Sequence, residues 1–167
     1  MKESSVKPAK TTTAAATPKA QDATMLLRAD HKLVSELFAA YEKANSTDKK
    51  KKLVAQICKE LSVHAQVEEE IFYPALKQAL KDKELIPEAI VEHATLKSLI
   101  AQVDGIEPEG EMYDAKIKVL SEYVKHHVKE EESEMFPKAK STSTSLDLKA
   151  LGAQLLARKA ELMTEPA

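Results

Sequence analysis

HAQVEEEIFYP at residues 64–74 and HVKEEESEMFP at residues 127–137 are two copies of one design. Each opens on a histidine, places a glutamate four residues later and closes on an aromatic residue followed by proline. The copies keep register: 127 − 64, 131 − 68 and 137 − 74 are each 63. Upstream of each lies a second matched pair, ADHKLVSELF (29–38) and VEHATLKSLI (91–100), with 93 − 31 = 62. The chain therefore repeats a helical hairpin once. Two copies with so long a period do not make a solenoid. Stacked on each other, they make a bundle with a pseudo-twofold axis.

The apolar residues supply the helices. Leu27, His31, Val34, Phe38 and Tyr41 follow steps of three and four, as do Val54, Ile57, Leu61, His64, Glu68, Ile71 and Ala75. The second hairpin repeats this with Ala89, His93, Leu96, Ile100 and Val103, then Tyr113, Ile117, Leu120, Val124, His127 and Glu131. Each set is the buried stripe of an amphipathic helix. The pattern predicts helices over about 23–44, 48–73, 87–104 and 109–136, and a shorter one over about 146–164. Asn45-Ser46-Thr47-Asp48 offers N-caps, Pro87 suits a first turn and Gly105 suits a C-cap. Pro74 and Pro137 are expected to end or kink their helices. The expectation is an all-α fold, an antiparallel up-down four-helix bundle with a short extra C-terminal helix. That last helix is expected either to cover the bundle or to mediate a homodimer.

In all four stripes a histidine stands where an apolar residue belongs, and in two a glutamate follows one turn later. One histidine on a core stripe is more often a hydrogen-bonded core residue than a ligand. Four, at matched positions of a duplicated hairpin, are not independent accidents. A buried carboxylate costs several kcal/mol unless it is paired or coordinates a metal, and the stripes hold few cations. His and Glu at i and i+4 share one helix face, so both reach the same cluster. A metal ion is the simplest partner for His31, His64, Glu68, His93, His127 and Glu131. Nitrogen and oxygen donors without thiolate suit iron, and also manganese or zinc.

The rest of the composition narrows the class. The 167 residues suit one domain with a real core. Three glycines, no tryptophan and an abundance of Ala, Leu, Lys and Glu agree with an all-helical fold. A formal charge of −2 gives no drive towards nucleic acid or an anionic membrane, and no run is long enough to span a bilayer. The single cysteine, Cys58, has no intrachain partner and reads as a small buried filler. Residues 1–22, rich in Lys, Thr, Ala and Pro, lack apolar periodicity and are expected to form a disordered tail ahead of a single domain at 23–167. The start shows no signal-peptide pattern, and the expected location is the cytoplasm.

The combination of His31, His64-x-x-x-Glu68, His93 and His127-x-x-x-Glu131, with IFYP and EMFP following, resembles the hemerythrin-like, or HHE cation-binding, family over about residues 24–164. The resemblance implies two non-haem irons, oxo- or hydroxo-bridged, with Glu68 and Glu131 as bridges and the four histidines as terminal ligands. His126 and Glu130 form a second HxxxE pair in the same stretch. The 63-residue offset and the apolar stripe select His127 and Glu131, leaving His126 towards a neighbouring helix or solvent.

One departure bears on function. Oxygen carriers of this family have a further histidine one turn after the third-helix ligand, where this chain has Lys97. Two six-coordinate irons offer twelve positions, of which the bridging glutamates fill four, the histidines four and an oxide bridge two. Two stay open, where a carrier leaves one. The implied function is binding or turnover of dioxygen, peroxide or nitric oxide, including a catalase-like consumption of peroxide. Alternatives are a metal-dependent sensor, an iron store or donor, or an iron-centre repair protein. Tyr123 and its repeat partner Glu60 are read either as groups that orient the ligands or as a core-edge aromatic and a surface acid. Lys97 is read as a snorkelling surface lysine.

Overall fold

The computed structural model describes residues 21–142 and 146–166, all helix and connections. The expected tail lies outside these residues except at its last two positions. Helix α1 spans Ala23–Lys43 and α2 spans Thr47–Val67. A single π-helical turn, Glu68–Phe72, joins α2 without a break to α3, Tyr73–Leu80. Helix α4 spans Leu85–Ala101 and α5 spans Gly110–Glu130. A second π-turn, Glu131–Met135, leads into α6, Phe136–Ser141, and α7 covers Leu148–Thr164.

Local chemistry sets the ends. Asp22 accepts a hydrogen bond from the Met25 amide, Ser46 from Lys49 and Asp147 from Ala150, starting α1, α2 and α7. After α4 the chain turns through Gly105, whose φ of 70° is the left-handed geometry that glycine adopts at little cost. Neither proline ends its helix. Pro74 and Pro137 lack an amide hydrogen, so an α-helical pattern would leave a carbonyl four residues back without its donor. The helix widens just before each instead. The Tyr73 amide reaches the Glu68 carbonyl and the Phe136 amide reaches the Glu131 carbonyl, each five residues back.

Helices α1, α2, α4 and α5 alternate in direction, and every stripe residue singled out from the sequence is buried or half-buried. Their core divides in two. One cluster holds Leu27, Val67, Phe72, Leu76, Ala89, Met135 and Phe136. The other holds Val34, Phe38, Ile57, Leu61, Leu96, Leu120 and Val124. The four histidines and two glutamates form the layer between them. Cys58 is buried in the second cluster as expected, and burial pushes its thiol up to about 12.

The C-terminal helix covers the bundle along α1 and α2, and Leu151, Leu155 and Leu162 join the first cluster. Gly152 sits where α7 meets the start of α1. A Cβ there would come within 2.3 Å of the Gln21 carbonyl oxygen, so backbone would have to move. Gly152→Ala is expected to lower the unfolding midpoint by about 1–3 kcal/mol of stability, because overpacking outweighs the better helix propensity of alanine. Thermal unfolding checks this, and an unchanged or raised midpoint would contradict it.

Candidate metal centre

The six residues selected from the sequence converge. Donor atoms of Glu68, His93, His127 and Glu131 lie within 4.8 Å of one another, as do those of His31, His64 and Glu131. The histidines form two pairs. His31 Nε2 lies 3.2 Å from His64 Nε2, and His93 Nε2 lies 3.1 Å from His127 Nε2. The glutamates lie between the pairs. Glu68 Oε1 is 2.7 Å from His64 Nε2 and 3.6 Å from His93 Nε2. Glu131 places Oε1 3.1 Å from His31 Nε2 and Oε2 3.3 Å from His127 Nε2. Each glutamate therefore touches one histidine of its own helix and one of the other hairpin.

The outer nitrogen of every imidazole faces a further carboxylate. His31 Nδ1 is 3.2 Å from Glu132 Oε1, and His64 Nδ1 is 3.0 Å from Asp30 Oδ2. His93 Nδ1 is 3.6 Å from Glu69 Oε1, and His127 Nδ1 is 3.5 Å from Glu92 Oε1. The repeat governs this arrangement too. Asp30 and Glu92 each precede the first-helix histidine of their hairpin, whereas Glu69 and Glu132 each follow a central glutamate. Glu132 and Asp30 lie within hydrogen-bond distance of His31 and His64, where an Nδ1–H donated to the carboxylate leaves the Nε2 lone pair facing inward, the arrangement metal-bound histidines use; His93 and His127 stand slightly beyond that distance from Glu69 and Glu92.

This geometry fits a cation, and the buried atoms show why. Both oxygens of Glu68 and Oε1 of Glu131 are buried without a hydrogen bond, although imidazole nitrogens stand close to them. Burial and the neighbouring Glu131 charge raise Glu68 well above the usual carboxylate range. Burial works in the same direction on Glu131, but its close contacts with Glu68, His127 and His31 outweigh it and keep that carboxyl low. His93 falls to about 3, chiefly through burial, whereas His127 is raised to about 9 against burial by its contact with Glu131.

Tyr73 completes the cluster, and the sequence did not single it out. Its hydroxyl donates to Glu131 Oε2 at 2.5 Å and lies 3.2 Å from His93 Nε2 and 3.4 Å from His127 Nε2. The π-turn puts it there. Residues five apart on an α-helix point about 140° apart, but in a π-turn they nearly align. The repeat partner Phe136 uses the same device to stack on His31, centroids 5.9 Å apart with an interplanar angle of 1°. The tyrosine-for-phenylalanine difference between IFYP and EMFP was the available signal.

Two sequence readings need correction. Tyr123 is 46% exposed and lines no part of the cluster, so it neither orients a ligand nor packs as a core-edge aromatic. Glu60 is buried, not a surface acid, with Lys159 of α7 3.9 Å from its Oε2. Lys159 also bonds Asp30, which holds His64, so α7 reaches the centre at one remove. Lys97 is half-exposed as expected, and its ammonium bonds Glu69 at 2.6 Å. A cavity of about 30 Å³ opens over the four histidines, walled by Val34, Leu61, Leu96, Ile100, Val124 and Val128, with Lys97 on its lining. Among the described residues, no helix is long and apolar enough to cross a membrane.

Comparison with known proteins identifies the family. The chain belongs to the hemerythrin HHE cation binding domain family, whose model matches residues 22–139. A solved structure of a hemerythrin HHE cation binding domain-containing protein from Mycobacterium kansasii shares the fold. Its TM-score is 0.73 at 22% identity, covering 86% of this chain and 88% of that one. A DNA nickase from Nostoc sp. is 27% identical over 137 residues, 82% of this chain. The match spans only 39% of the nickase. Helix α7 lies beyond the residues that the family model matches.

Tyr73→Phe removes a charge-assisted hydrogen bond to a buried carboxylate while keeping a ring that the repeat tolerates. In the metal-free protein it is expected to cost about 1.5–3 kcal/mol in denaturant unfolding. An unchanged midpoint would show that the Tyr73 hydroxyl does not hold Glu131.

Proposed function

We propose that this chain is a non-haem di-iron protein that binds or turns over small oxidants, namely dioxygen, peroxide or nitric oxide. The observation that carries the reading is the position of the two glutamates, each within reach of a histidine from both pairs. His31 and His64 would hold one ion, His93 and His127 the other, with Glu68 and Glu131 bridging them. An oxo- or hydroxo-bridged pair of irons would supply redox chemistry and open positions for a small ligand.

The chain's own residues supply the rest. Glu132 and Asp30 orient His31 and His64 by hydrogen bonds at Nδ1, and Glu69 and Glu92 face the outer nitrogens of His93 and His127. Tyr73 holds a proton at its hydroxyl, raised well above its ordinary range by burial and by the charges of Glu68 and Glu131. That proton stays available beside the centre at neutral pH. The apolar cavity over the histidines, about 30 Å³, gives room for a small ligand beside the centre. The nickase match spans only 39% of that protein, so its strand cleavage is not carried over. The buried unpaired thiol of Cys58 is compatible with a reducing compartment such as the cytoplasm.

Metal content per chain, with an absorption spectrum taken before and after peroxide, tests the reading. The expected result is about two irons, oxo-bridge charge-transfer bands and consumption of peroxide beyond one equivalent. His127→Ala is expected to lose iron and that consumption together. One metal or none in protein made with ample iron, or full iron and activity in His127→Ala, would overturn the assignment.

A further inference from the structure

Glu68, His93 and Glu131, at the heart of the centre, are at most 1% exposed. An ion must therefore pass between helices to reach it. We propose that Glu92, His126 and Glu130 form a surface capture site for a divalent first-row cation, set at the mouth of a route between α4 and α5 into the buried cluster. The feeding role rests on the di-iron reading above, whereas the capture site itself does not.

The three residues place donor atoms within 4.8 Å of one another. His126 Nε2 lies 3.1 Å from Glu130 Oε1 and 3.9 Å from Glu92 Oε2. Bonds of about 2.1 Å to one ion put neighbouring donors about 3–3.5 Å apart, so small rotations suffice. One imidazole and two carboxylates, with the remaining positions left to water, suit ferrous iron, manganese or zinc. The His126 side chain is 62% exposed, so the site opens to solvent.

Glu92 links the surface to the interior. Its Oε2 faces His126, while its Oε1 lies 3.5 Å from His127 Nδ1, a buried nitrogen with no hydrogen-bond partner. A cavity of about 10 Å³ lies between α4 and α5, lined by Glu92 and Glu130 together with His127 and Glu131. Oxygen and nitrogen donors thus run continuously from the capture site to the proposed centre.

The broken symmetry of the repeat supports this assignment. His126, Glu130 and Glu92 correspond to Val63, Val67 and Asp30, since 126 − 63 and 130 − 67 are 63 and 92 − 30 is 62. In the first hairpin both valines are buried in the cluster that α7 joins, and Lys159 of α7 ties down Asp30. That side offers an approaching cation apolar residues and a lysine: the cavity of about 140 Å³ beneath α7 is lined by Leu26, Leu27, Val67 and Leu155 with Lys159 beside Asp30. Among the described residues α7 packs chiefly on α1 and α2, and at the equivalent place of the second hairpin stand an exposed histidine and two acids.

The test uses the full chain. Iron-loaded protein is titrated with Mn²⁺ and bound ion is counted by electron paramagnetic resonance. The expected result is one Mn²⁺ per chain, absent in the double variant His126→Ala, Glu130→Gln. Anaerobic ferrous loading of the metal-free protein, followed by stopped-flow absorbance, is expected to slow about tenfold in that variant. Its final iron content is expected to match wild type. No bound Mn²⁺ in wild type, or equal binding in the variant, would overturn the capture site, and an unchanged loading rate would overturn the feeding role. A lower final iron content would also overturn the proposal, by making His126 or Glu130 part of the buried centre. A chain that binds Mn²⁺ through His126 but holds no buried iron would uphold the capture site and contradict the di-iron reading.

Discussion

A layer of six ionisable side chains crosses the middle of this helical bundle, and everything else is arranged around keeping it there. Apolar packing lies on both sides of it. Two carboxylates that share no solvent repel each other, and the protein alone answers by pushing Glu68 and His127 up and by setting the Tyr73 hydroxyl against Glu131. That answer leaves carboxylate oxygens buried and unbonded. A polar network that is only partly satisfied is normally worse than an apolar core of the same volume. The layer is therefore intelligible as a container whose contents are cations.

The supporting shell follows from the same constraint. Four carboxylates in two pseudo-symmetric pairs face the outer nitrogens of the four imidazoles. Two π-turns rotate an aromatic ring onto the layer from either side, and the two prolines after them are part of how the helix widens there. The duplication extends to these details, but it breaks in three places. Tyr73 is opposed by Phe136, α7 packs chiefly on α1 and α2 of the first hairpin, and the residues related to Val63 and Val67 in the second are polar. These departures make the two halves of an otherwise symmetric centre chemically distinct.

Much of this was legible in the sequence for a physical reason. A histidine in an apolar stripe is conspicuous, and the hairpin's recurrence fixed which histidines and glutamates belonged together, so His127 and Glu131 could be separated from His126 and Glu130. The surrounding acids were not legible in that way. Asp30, Glu69, Glu92 and Glu132 flank the ligands along the chain, where an acid on an exposed helix face looks the same. Their role depends on the neighbouring helix. Tyr73 was hidden because α-helical periodicity turns it away from Glu68, and only the π-turn brings it back. Glu60 looked like a surface acid because the lysine beside it comes from α7, far along the chain. Pro74 and Pro137 looked like helix ends because a local rule was applied without the widened turn that evades it.

Whether metal holds the buried layer together is decided by comparing thermal unfolding of the metal-loaded and chelated protein at matched pH. Ions that bind only the folded state at a thousandfold excess over their dissociation constant add about 4 kcal/mol per site. The account predicts a large drop in the unfolding midpoint on chelation, restored by adding iron back. Equal midpoints with and without metal would contradict it, and would mean that the histidines and glutamates are satisfied by one another.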